Sequence, residues 1–126
     1  MKSTLATAIA LLTLLAAPAA LAQPADVNSI IGSIGKSEFL RAASRVDGAS
    51  SARVVRLSTF MGASRAIDRL ARAEAVYGHD LDYLHGNLML SPIAMQAIRA
   101  SGFEVNDIVA LSLDGEGSAI LYADDL

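Results

Sequence analysis

Cysteine and tryptophan are absent from this 126-residue chain, and aromatic residues make up only 5% of it. Without cysteine there is no disulfide framework, no thiol redox chemistry, no diacylglyceryl-cysteine anchor and no Cys-based zinc site. The shortage of aromatics removes the stacking platforms on which single-stranded nucleic acids are bound. Positive charge is also scarce: ten Lys and Arg stand against thirteen Asp and Glu, for a formal net charge of −3. Nucleic-acid affinity rests on clustered basic residues that displace counterions, so nucleic acid is not an expected partner. A serine nucleophile elbow of the Gly-x-Ser-x-Gly type is missing too; the nearest approach, Gly62-Ala63-Ser64-Arg65, lacks the closing glycine.

What is present begins with a leader. Lys2 supplies a positive start, Leu5 to Ala17 is uncharged and mostly apolar, and Pro18-Ala19-Ala20-Leu21-Ala22 ends in a small-x-small pattern. These are the parts of a cleavable signal peptide, with the cut expected between Ala22 and Gln23. A retained anchor is the competing reading, but a spanning helix needs about 20 apolar residues, and Pro18 interrupts the run. Periplasm or medium is the expected destination, with no stable membrane insertion after cleavage. Removing 22 residues of 126 leaves 104, and losing Lys2 takes the charge from −3 to −4. The positive mean hydropathy of +0.44 belongs in part to the leader. A chain of this size buries roughly two-thirds of its unfolded surface, enough for one small core.

Three units are expected: a signal peptide at 1–22, an N-terminal arm and linker at 23–51, and a single domain at 52–126. In the arm, Val27, Ile30, Ile31 and Ile34 recur at helical spacing behind a possible cap at Asp26. Gly32 and Gly35 weaken that helix. Phe39, Leu40, Ala43 and Val46 form a second pattern, so the arm is helical or partly ordered. Asp47-Gly48-Ala49-Ser50-Ser51 reads as a flexible link. Ala52 to Thr59 reads as a strand, on which Arg53 and Arg56 point to opposite faces. A helix from Gly62 to about Tyr77 carries Ala63, Ile67, Leu70, Ala71 and Tyr77 on its apolar face, and Gly78 is its stop. Asp80 caps a second helix with Leu81, Leu84 and Leu88 inward. Ser91-Pro92 opens a third, with Ile93, Ala94, Ala97 and Ile98 as its stripe and Gly102 as its end. Ile108 to Leu113 and Ser118 to Ala123 flank a Gly-rich loop, which makes a β-hairpin. The expected fold is α+β: a small antiparallel sheet, one strand near 52–59 plus the C-terminal hairpin near 108–123, covered by about three helices.

Candidate sites are few. Both histidines lie in His79-Asp80-Leu81-Asp82-Tyr83-Leu84-His85, whose side chains are of the kind that bind divalent metals. On a helix, however, His79 and His85 stand about 120° apart, so a polar helix start is the preferred reading and no metal is assigned. Glu74 lies about 20° from Ile67 on its helix, in the middle of the apolar face. A carboxylate there must be paired, protonated or beside water; it could be an acid, base or ligand anchor lining a cleft, and the plain expectation is a residue near the helix end that reaches solvent or pairs with Arg53 or Arg56. Arg65, Arg69 and Arg72 form a stripe that could meet an anion or lipid headgroups, though a solvated face with an Asp68–Arg72 pair is the simpler reading. Gly32-Ser33-Ile34-Gly35-Lys36-Ser37 resembles the end of a phosphate-binding loop, yet the glycine required five positions before Gly35 is Ile30. Asp114-Gly115-Glu116-Gly117 resembles part of a calcium loop but reads as a hairpin turn.

No catalytic, cofactor or metal residues are assigned from these patterns. The expectation is a small exported domain without enzymatic activity, working through contact with a protein or small ligand. One alternative is a small hydrolase or metal-dependent protein using Glu74 or the His79–His85 segment. Another is an envelope subunit that self-associates through an open sheet face.

Overall fold

Asp26 begins the first helix by local chemistry: its Oδ1 accepts a hydrogen bond from Asn28 N at 2.6 Å, satisfying an amide that has no partner inside the helix. The computed structural model describes residues 26–126, so the leader and its cut lie outside the described residues. Helix α1 (Val27–Ser33) buries Val27, Ile30 and Ile31, and α2 (Ser37–Arg45) buries Phe39 and Ala43. Between them Gly35 has φ +80°, and a Cβ there would overlap the Tyr77 ring, so this turn needs glycine on two counts. The 47–51 segment is fastened to the far end of the chain. Ser50 N donates to Gly117 O at 2.8 Å and Ser50 Oγ to Glu116 O at 3.0 Å.

Strand β1 (Ser51–Arg56) ends earlier than expected because Leu57–Thr59 turns as a 3-10 helix that buries Leu57. Helices α3 (Ile67–Val76), α4 (Gly78–Met89) and α5 (Pro92–Ala100) follow. Gly78 starts α4 rather than stopping α3, and Asp80 lies in its first turn instead of capping it. The inward face of α3 is also rotated from expectation. Ala66 and Leu70 are buried, whereas Ile67 is 48% exposed. Ser91 does cap α5, accepting from Ala94 N at 3.1 Å, with Pro92 in the first turn. Leu81, Leu84 and Leu88 of α4 and Ala94 and Ile98 of α5 are buried as their spacing requires, although Ile93 faces out.

The fold is α+β, with five helices among the described residues and a three-stranded sheet. Strands β2 (Ile108–Leu113) and β3 (Ser118–Ala123) form the expected antiparallel hairpin, but the sheet is mixed, in the order β1-β3-β2. β1 lies parallel to β3, from Ser51 opposite Ser118 to Arg56 opposite Ala123. The reason is connectivity. The chain leaving β1 passes through three helices and β2 before β3 lies down beside it, a long crossover of the kind that parallel neighbours require. Val27, Ile30, Ile31, Phe39 and Val46 share one core cluster with Leu84, Ile98 and Leu121. The helices of the 23–51 region thus pack into the core that buries the sheet. No helix among the described residues is long and apolar enough to cross a membrane.

Candidate functional site

Helix α3 places Glu74 four residues after Leu70, next to Ala73 and Tyr77, on the side that turns toward the core. Its position half inside the protein comes from these neighbours and not from Ile67, which is exposed. No arginine meets it. Arg56 lies over the Phe103 ring at 5.8 Å, and Arg53 is exposed, opposite Ile120 on the sheet. The partner is Asp124, which follows β3, and the two carboxyls share a hydrogen bond.

Burial, then the hydrogen bond to Asp124, then the charge of Asp124 push the Glu74 carboxyl up from 4.5 to about 8. At neutral pH it therefore keeps its proton and donates it to Asp124. Both residues line a cleft of about 370 Å³, together with Asp82 and His85 of α4 and Asn106 and Asp107 ahead of β2. Asp124 is held in place from behind: its N donates to Asp107 O at 2.8 Å, and its Oδ1 accepts from Leu126 N at 3.0 Å. His85 Nε2 lies 2.7 Å from Ile108 O, and because a carbonyl only accepts, the proton sits on Nε2.

The structure therefore gathers Glu74, Asp82 and His85 from among the residues singled out in the sequence, and leaves His79 exposed outside the cleft lining. Among the described residues no group of three or more His, Cys, Asp or Glu is placed to hold a metal ion. Sequence reasoning missed Asp124, Asp107 and Asn106. They enter the cleft through the pairing of β2 with β3, and a long-range pairing leaves no local signal.

The other motifs resolve differently. Asp114 Oδ1 accepts from Glu116 N at 2.8 Å and Ser118 N at 2.9 Å, so the acidic loop is a hydrogen-bonded turn. Ser64 is exposed on a 3-10 turn. Arg69 and Arg72 line a second cleft with Lys36, and Arg65 is not part of its lining. The sheet face carrying Arg53, Ser112 and Ile120 borders a groove of about 590 Å³. Farther along that face Tyr122 is buried, its ring 5.9 Å from Phe60.

One surface feature stands apart from the clefts. Where α4 meets α5, Met89 is 58% exposed, Leu90 66% and Ile93 40%. The corner that carries them is rigid, since Leu90 N bonds Asn87 O, Ser91 N bonds Leu88 O, and the Ser91 side chain is buried as a cap. No family model, curated protein or solved structure matches this chain.

Proposed function

We propose that this chain is a small exported domain, periplasmic or secreted, that works by contact with a protein or small ligand and not by catalysis. The observation that carries the reading is the apolar corner at Met89, Leu90 and Ile93. Contiguous exposed apolar side chains on a soluble domain mark contact surfaces, and here the backbone holds them outward in advance, so little ordering entropy is lost on binding. Export is the natural consequence of residues 1–22, and mass spectrometry of the secreted chain should place its N-terminus at Gln23.

The test is a photo-crosslinking residue at Leu90 in the chain produced in its own envelope. A single discrete adduct is expected, abolished by Met89→Lys with Ile93→Lys while the circular dichroism spectrum and Tm stay unchanged. A dimer-sized adduct would identify the partner as a second copy. No adduct, or the same adduct from a probe at Glu38, overturns the reading.

A second reading has its own support. Glu74 is a carboxyl that keeps its proton near neutrality beside Asp124, the arrangement a general acid requires. Hydrolysis of an ester or glycoside by the purified chain, lost in both Glu74→Gln and Asp124→Asn, is the outcome that reading demands. Absence of turnover by the wild-type chain across such substrates removes it.

A further inference from the structure

We propose that the cleft between the α1–α2 turn and α3 is a binding site for a phosphoryl oxyanion, with Lys36, Arg69 and Arg72 as its charged ligands. The cleft has a volume of about 410 Å³, and no carboxylate contributes to its lining. Two motifs far apart in sequence meet there. The end of α1 supplies Gly32, the turn after it supplies Lys36, and α3 supplies the middle and end of the arginine stripe.

All three cations are exposed, and two of them are held by neutral partners. Arg69 Nη1 donates to Asn28 Oδ1 at 2.6 Å, a neutral acceptor that orients the guanidinium without cancelling its charge. Lys36 Nζ sits 5.7 Å from the centre of the Tyr77 ring, a second neutral partner. Tyr77 in turn packs on Gly35, whose positive φ lets the turn approach the ring. The Asp68–Arg72 pair suggested by their spacing does not form, and the single salt bridge among the described residues, Arg41–Glu38, lies elsewhere. Arg69 and Lys36 are therefore positioned by neutral groups, and none of the three cations forms a salt bridge among the described residues.

Their chemistry fits a phosphoryl group better than a carboxylate. Arg72 offers a planar fork for two oxygens, Arg69 has donors left beyond its bond to Asn28, and Lys36 adds a compact charge. Three cations more than balance the two charges of a phosphate monoester dianion. Val76, 71% exposed on the rim, gives the organic part of an ester an apolar surface. A soluble phosphate ester and a phospholipid headgroup present the same oxyanion.

The site is independent of the α4–α5 corner, so its failure leaves the contact reading standing, and the reverse holds. The test is NMR titration of the purified chain in low salt with inorganic phosphate and with glycerol 3-phosphate. A parallel arm measures co-sedimentation with phosphatidic acid vesicles against phosphatidylcholine vesicles. Saturable shifts at Gly32, Lys36, Arg69 and Arg72 are expected, weakened at least tenfold in Arg72→Gln and unchanged in Arg99→Gln. Binding in solution assigns the site to soluble phosphate esters. Binding to phosphatidic acid vesicles alone, lost in the same variant, assigns it to a headgroup. Lys36→Gln should give the same loss while leaving the Arg69–Asn28 contact intact, which separates charge from folding. Absence of binding in both arms, shifts scattered over the surface, or full affinity in both Arg72→Gln and Lys36→Gln overturns the proposal.

Discussion

Two clefts share helix α3 and are built on opposite electrostatic plans. On one side, Arg69 and Arg72 meet Lys36, each cation oriented by a neutral group or left free. On the other, Glu74 meets Asp124 in a cleft that Asp82 and Asp107 also line, and burial, with the hydrogen bond to Asp124, keeps the Glu74 carboxyl protonated. Arg72 and Glu74 are two residues apart, about 200° around the helix, so a single turn of α3 sends a cation and a carboxyl to different neighbours. Each cleft keeps its own character: the basic side presents its cations, and on the acidic side burial leaves Glu74 holding its proton.

The sharpest way to break this comparison is to damage the basic side alone. Gly35→Ala forces a side chain into left-handed backbone and against the Tyr77 ring. A cost of about 3 kcal/mol is expected from strain and overpacking together, measured by urea denaturation. The Glu74 titration, followed by carbon-detected NMR, should keep its raised midpoint in this variant. A lowered midpoint would mean that the two clefts are coupled through α3.

The next effect is on the acidic side and has a definite sign. The unfolded chain ionises Glu74 near 4.5, and the folded chain holds the proton up to about 8. Between those values the folded state binds the extra proton, so this group's contribution to stability falls as pH rises from 4.5 to 8 and levels off above. Glu74→Gln should remove that fall, seen as a flatter Tm profile between pH 4 and 9 and a variant more stable than wild type at pH 9. Parallel profiles for the two proteins would mean that the cleft does not retain the proton.

A smaller effect is expected at the foot of the basic side. Asp26→Ala removes the cap of α1 and should cost about 1 kcal/mol. Because α1 carries Asn28, the anchor of Arg69, anion affinity should weaken by less than in Arg72→Gln. An affinity loss equal to that of Arg72→Gln would show that the cleft depends on the order of α1 more than on its charge.

The parts legible in the sequence were those whose cause is local. Asp26 and Ser91-Pro92 act within one turn of where they stand, and the hairpin around Asp114 to Gly117 joins neighbouring strands. The rotation of α3 and α5 was not legible, because Ile67 and Ile93 have the right spacing and only the packing of α1 and β1 decides which face turns in. The strand order escaped for the same reason. Glu74 drew attention as a carboxylate on an apolar stripe, but its partner Asp124 lies 50 positions away, beyond any helical or strand period.

The central position of β3 also sets a timetable. β1 and β2 each pair only with β3, which is the last of the three strands to leave the ribosome. Until residues 118–123 emerge, neither earlier strand has a partner, and the Ser50 amide has no Gly117 carbonyl to bond. A nascent chain built this way cannot close its sheet early.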